Sequence, residues 1–264
     1  MPSSPRLALA LLAAAACLAL LPPPAAAVDG VTLISQATAA TGLPGCNATG
    51  FPIVICKSGS YRLASNLSPS PGADAIHINA DDVSLDLNNF TLLGARGANG
   101  ISSSAASVSI LNGTITGFSD GVYLVGNDAR VRLVRTSGGA NGIYINSGTI
   151  SQCSASGASS TGLVVLGDGL VERSRATGNG TGIFIRSGLV TGNEVSFNSS
   201  NGVVVELGSA NITNNAIENQ STGTGLDFAF GAGGYTDNSF FDNSTDVFGG
   251  TSLGHNLCSN YAAC

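Results

Sequence analysis

Residues Thr181–Ser200 read TGIFIRSGLVTGNEVSFNSS, and Asn201–Gly223 read NGVVVELGSANITNNAIENQSTG. In both units the second residue is a glycine followed by three consecutive apolar residues. Both then carry a second pattern: Val190, Asn193 and Val195 in one, Ile212, Asn215 and Ile217 in the other. In a strand, successive side chains point to opposite faces. Ile183 and Ile185 therefore share a core, and Phe184 between them points outward.

The same glycine-aliphatic step recurs at Gly100, Gly121, Gly142, Gly162, Gly182, Gly202 and Gly225, at spacings of 21, 21, 20, 20, 20 and 23 residues. A repeat of that length is too short for a β-α-β unit, which needs roughly 30 residues. It accommodates two or three short strands, each stacked on its counterpart one repeat away. The second pattern supplies the other columns: Val131, Ile150, Val171, Val190, Ile212 and Tyr235; then Val134, Cys153, Ser174, Asn193, Asn215 and Asn238; then Thr136, Ala155, Ala176, Val195, Ile217 and Phe240. These periods predict an all-β, single-stranded parallel β-helix of about eight rungs, with like side chains stacked at ~4.8 Å. The column Asn193, Asn215, Asn238 suits an amide ladder along the axis. The repeat glycines are expected to supply backbone angles that other residues resist. A leucine-rich consensus is absent, as are GGxGxD runs, and no stretch beyond the first residues has the 3.6-residue period of a helix.

The ends of the chain are read separately. Met1–Ala27 has a short polar start, an apolar run over Leu7–Leu21, three prolines and Ala25-Ala26-Ala27, the pattern of a secretory signal peptide. Residues 28–74 are expected as an N-terminal cap, 75–244 as the repeats and 245–264 as a C-terminal cap. An exported chain with no other long apolar run is expected outside the cytoplasm (extracellular, periplasmic or on the cell surface) and not spanning a membrane. Five cysteines follow the leader. In an oxidising compartment, Cys46 with Cys56 and Cys258 with Cys264 are natural disulfides that clip the two ends. Cys153 is left as a buried free thiol behaving as a small apolar residue. The formal charge is −6, and −7 once the leader with its single Arg6 is removed. That balance argues against nucleic acid as a partner.

Ala75–Gly94, AIHINADDVSLDLNNFTLLG, followed by SVSILNGTITGFSDGVYL and the later Gly-Ile units, resembles the right-handed parallel β-helix repeat proteins of bacteria in the pectin-lyase-like superfamily. The segment GCNATGFPIVICKSGSYRLASNL resembles the N-terminal portion of secreted members. The resemblance covers roughly residues 45–245 and implies the right-handed coil. It does not assign an activity, because the superfamily holds lyases, hydrolases, epimerases and non-catalytic surface proteins. The motifs of its enzymes are missing here. Lys57 is the only lysine, no compact Asp cluster occurs within the repeats, and Asp81-Asp82 stands without NTD, GHG or RIK companions. No metal and no cofactor is implied.

The outward positions remain. Two residues after each repeat glycine stand Ser102, Tyr123, Tyr144, Val164, Phe184, Val204 and Asp227, with His77 in the equivalent place of the earlier rung AIHIN. Two positions further on, Arg186 is expected to meet Glu206. Tyr123 to Val204 forms an apolar stripe five rungs long, open to three readings: a surface covered by a loop or a terminal tail, a subunit or partner interface, or a platform on which an extended polysaccharide stacks sugar faces. Substrate-binding candidates are His77, Tyr123, Tyr144, Phe184 and Arg186, and no catalytic residue is assigned. The reading is an exported, non-catalytic surface or matrix protein contacting polysaccharide. The alternatives are a polysaccharide lyase or glycoside hydrolase with an unrecognised site, and a purely structural or adhesion scaffold. A second face carries Arg130, Arg132, Arg135, Arg173 and Arg175. It is read as salt-bridged, with Arg175 opposite Glu194, against the alternative of an anion patch for uronates.

Overall fold

The computed structural model describes residues 30–95 and 97–259. The expected leader and Cys264 lie outside the described residues. The strands of the repeats all belong to one compact unit, Thr32–Cys264. Among the described residues the regular structure is nearly all strand, and its one helix is the single turn Thr38–Thr41. Every registered strand pair is parallel, each strand lying on the one a repeat later, and the result is a parallel β-solenoid.

Three faces make up each turn. The first runs from Ile53–Ile55 through Ile76–Ile78, Asn141–Ile145 and Val203–Val205 to Thr245–Phe248. Its inward side chains, among them Ile53, Ile76, Ile101, Ile143 and Ile183, have no more than 2% of their surface exposed. Each such burial stabilises by roughly 2–3 kcal/mol relative to exposure. The second and third faces carry the predicted columns in register: Val131 on Ile150 on Val171 on Val190, and Ala155 on Ala176 on Val195 on Ile217. The solenoid has about ten turns rather than eight. The added turns come from segments expected as caps, because Ile53–Ile55 already pairs with Ile76–Ile78, and Thr245–Phe248 pairs with Thr224–Asp227. The Cys46–Cys56 disulfide forms beside the first of these strands.

The amide ladder is present at the corner between the second and third faces, and it is longer than expected. The backbone N–H of Asn193 and its Nδ2 both donate to Asn215 Oδ1, each at 2.9 Å. Asn215 does the same to Asn238 at 3.0 Å, and Asn238 to Asn256 at 3.0 and 3.2 Å. Asn215 Nδ2 also donates to the Val190 carbonyl of the rung before. Ser174 and Cys153 continue the column: the Ser174 backbone N–H donates to Asn193 Oδ1 and the Cys153 backbone N–H to Ser174 Oγ. A second ladder stands at the next corner, where Asn179, Asn198, Gln220 and Asn243 pass hydrogen bonds from rung to rung. All four are at most 5% exposed, so three N-x-[ST] asparagines are committed to the interior.

The glycine expectation requires correction. The repeat glycines are not the residues with left-handed backbone angles; those sit just before each ladder position, at Leu133, Gln152, Arg173, Gly192, Asn214 and Asp237. The repeat glycines are needed because rungs approach closely there. A Cβ on Gly182 would stand 2.5 Å from Val195 Cγ1 and 2.6 Å from the Gly202 carbonyl oxygen.

Asn215→Leu is expected to strand both Asn193 donors in the interior and to lower stability by about 3 kcal/mol, measured as a shift in denaturant unfolding. Cys153 is buried and free, and burial raises its thiol to about 11 from 9.0. Only the unfolded thiol ionises between these values, so stability is expected to fall by about 2–3 kcal/mol as pH rises from 9 to 11. Cys153→Ser, which places a hydroxyl where Ser174 has one in the next rung, is expected to remove that part of the alkaline loss in unfolding curves of the two proteins.

Candidate functional site

The outward column of the first face is in register along the whole solenoid. Val54 lies on His77, His77 on Ser102, Ser102 on Tyr123, and Tyr123 on Tyr144. The column continues through Val164, Phe184, Val204 and Asp227 to Phe248. Alternation fixes this: from Val54 to Asp227 the residues on either side of each outward one are buried. The phenol rings of Tyr123 and Tyr144 are 4.9 Å apart between centroids and tilted by 30°. Tyr123, Tyr144, Phe184 and Val204 are half-buried, while Val164 is 5% exposed and lies in a dip between Tyr144 and Phe184. Burial pushes the Tyr144 phenol above its ordinary value; Tyr123 and Asp120 add to this, and Arg186 opposes it. The hydroxyl therefore stays protonated and able to donate throughout the physiological range.

Toward the N-terminal end the column changes character. Asp74, His77, Asn99, Ser102, Tyr123 and Val125 line a cavity of about 230 Å³, with Ser103 and Ser104 completing its wall. His77 and Tyr123, two rungs apart, thus share one cavity. Within it Ser102 Oγ lies 2.7 Å from His77 Nδ1 and 2.6 Å from Asp74 Oδ2. The other carboxylate oxygen, Asp74 Oδ1, accepts the Asn99 backbone N–H at 2.7 Å. Asp74 and Ser102 are members of this site that sequence reasoning does not select. Ser102 is visible there only as a column member. Asp74 has no sequence signal, because it sits just before the strand and reaches Ser102 across a rung.

This trio is not a nucleophile-base-acid triad, in which the acid orients the base. Here the carboxylate and the imidazole both bind the serine, and Ser102 is only 6% exposed. A larger hollow, about 620 Å³, lies elsewhere, at a glycine-lined corner with Thr116, Phe118 and Ser137. Among the described residues no titratable side chain lines it, so it offers less chemistry than the smaller cavity. Among the described residues, no group of three or more His, Cys, Asp or Glu is gathered in metal-binding geometry.

Arg186 is exposed beside the column, near enough to Tyr144 to act on its phenol. The expected Arg186–Glu206 ion pair is not made among the described residues. Val203–Val205 ends where its neighbour Thr181–Thr191 continues, so the two side chains do not share a ladder. The expected Arg175–Glu194 pair is made, at 2.9 Å. On the second face, Arg130 pairs with Asp128 at 3.1 Å, Arg62 with Asp86 at 3.4 Å, and Arg132 donates to Gln152 Oε1 at 2.8 Å. The guanidiniums there are held by protein partners.

Residues 65–246 match the family described as right handed beta helix region. No curated protein and no solved structure gives a match.

Proposed function

We propose that this chain, which belongs to the right handed beta helix family, is an exported protein that holds an extended polysaccharide along the outward Tyr/Phe column of its first face without cleaving it. The observation that carries the reading is the register: Tyr123, Tyr144, Val164, Phe184 and Val204 follow one another rung by rung. A row of flat apolar faces repeating at ~4.8 Å suits a linear polymer of rings better than a compact ligand. Aromatic rings take sugar faces through apolar contact, while phenol hydroxyls and flanking amides satisfy the ring hydroxyls. The flanking amides of Asn141, Asn146 and Asn201 donate one hydrogen each to Asp120, Asn127 and Asp227, and among the described residues the second hydrogen of each is left for a sugar oxygen.

A binding role is favoured over hydrolysis or elimination by the chemistry of the cavity. Ser102 is enclosed and held by Asp74, so it is a poor nucleophile. Inverting and retaining glycosidases need two carboxyl groups facing each other across the substrate. Asp74 is instead turned to Asn99 and Ser102. Export is supported by the Cys46–Cys56 disulfide, and no helix among the described residues is long and apolar enough to cross a membrane.

The test is a polysaccharide array followed by titration calorimetry on the best binder. Tyr144→Ala and Phe184→Ala are each expected to weaken binding roughly two- to tenfold with unchanged unfolding curves. New reducing ends or unsaturated uronate products on incubation with any bound polymer would overturn the non-catalytic reading.

A further inference from the structure

We infer that the column accepts a neutral, hydroxyl-rich polysaccharide and rejects polyuronates, with His77 Nε2 receiving a hydrogen bond from a sugar hydroxyl at the N-terminal end of the stripe. This rests on the polysaccharide reading above and specifies the polymer. Two independent observations carry it.

The first is a proton inventory in the cavity. An ionised carboxylate only accepts hydrogen bonds, so Asp74 Oδ2, 2.6 Å from Ser102 Oγ, takes the single hydroxyl hydrogen of Ser102. With that hydrogen used, Ser102 Oγ can only accept from His77 Nδ1 at 2.7 Å. Nδ1 therefore carries the imidazole hydrogen, and neutral His77 holds its lone pair on Nε2. No protein group among the described residues takes up Nε2. The chain thus spends a buried serine and a carboxylate on fixing one tautomer, and the product is an acceptor beside Tyr123. A sugar hydroxyl is a donor that fits it; a uronate carboxylate brings only acceptors and meets lone pair with lone pair.

The second is the charge of this face. Asp74 and Asp120 stand on one flank of the stripe, Glu206 on the other, and Asp227 within it. Asp74 serves Ser102 and Asn99, and Asp120 accepts from the Asn141 backbone and side chain. Asp227 is bonded by Asn201 at 3.0 Å through one oxygen, while its other oxygen is buried without a partner. Against these four acids the described residues of the face carry one guanidinium, Arg186. Arg130, Arg132, Arg135 and Arg175 are on the other two faces, several tied to Asp128, Glu194 and Gln152. A polyanion laid along the stripe would meet these acids at both ends of it.

The test uses the full exported chain against soluble β-glucan, mannan and xylan on one side and polygalacturonate and alginate on the other, at low and at high salt. The expected result is binding of a neutral polymer that salt leaves unchanged. Any residual polyuronate binding should be at least tenfold weaker at low salt and should strengthen as salt screens the acids. Polyuronate binding that equals the neutral polymers and weakens with salt would overturn the inference while leaving the polysaccharide reading intact; binding of no polymer would overturn both. His77→Phe keeps a flat ring and removes the acceptor, and is expected to cost roughly tenfold in affinity; unchanged affinity would overturn the role of His77. Folding defects are bypassed by nitrogen-15 long-range NMR of the unsubstituted protein, whose only other histidine is His255. The Nδ1–H tautomer is expected for His77 and should give way to the ordinary Nε2–H form in Ser102→Ala. Observation of Nε2–H in the unsubstituted protein would overturn the inventory.

Discussion

The molecule rests on in-register stacking of one rung on the next. A parallel ladder joins residue to residue without sliding, because a slip of one position would turn every core side chain outward. Neighbouring rungs approach closely at the repeat glycines. At Gly142, for example, an added Cβ would lie 2.5 Å from the Gly162 carbonyl oxygen. This constraint governs every other feature of the coil. A side chain one repeat away always occupies the same place, so apolar residues form columns and buried amides can exist only as chains that satisfy one another. An isolated buried asparagine would cost stability. In the column from Asn193 to Asn256, each link removes that cost from its predecessor.

The same constraint decides which features are legible in the sequence. The period is legible because the glycines and the inward triplets repeat without interruption, and the first amide ladder is legible because three asparagines stand in equivalent units. The second ladder is not. Asn179, Asn198, Gln220 and Asn243 mix two residue types at uneven spacing and fall in stretches that look like ordinary polar turns. The role of the glycines is hidden for a related reason. Spacing marks where a glycine recurs, but it does not distinguish a backbone angle from a close contact, and here left-handed residues such as Leu133 and Arg173 are not glycines at all. The rung count from the period falls short because the first and last turns lack the repeat glycine motif, although they pair in register like the others.

Of the candidate site, the stripe is legible and the cavity is not. Alternation is a local rule, so Phe184 between Ile183 and Ile185 declares its own direction. Ser102, Asp74 and His77 meet only because one turn of the coil brings residues 25 and 28 positions apart into hydrogen-bond contact. No local pattern announces that meeting. Arg186 shows the opposite failure. Matching positions assign it Glu206 as a partner, yet the strands around it differ in length, so equal offset does not bring the side chains together.

A solenoid of this kind also constrains what chemistry its surface can hold. Repetition favours a uniform track: one residue type copied rung after rung gives a linear polymer an equivalent contact at each step. Catalysis needs the reverse, several different groups converging on one bond. The place where the column stops being apolar and regular, between His77 and Tyr123, is therefore the place where its surface becomes specific. There the groups do not converge on a substrate atom. Asp74 binds Asn99 and Ser102, and Ser102 binds the imidazole, which leaves one acceptor, His77 Nε2, unused. That arrangement fixes which donor can sit there and in what orientation, and it gives a track that would otherwise bind in either direction a distinguishable end.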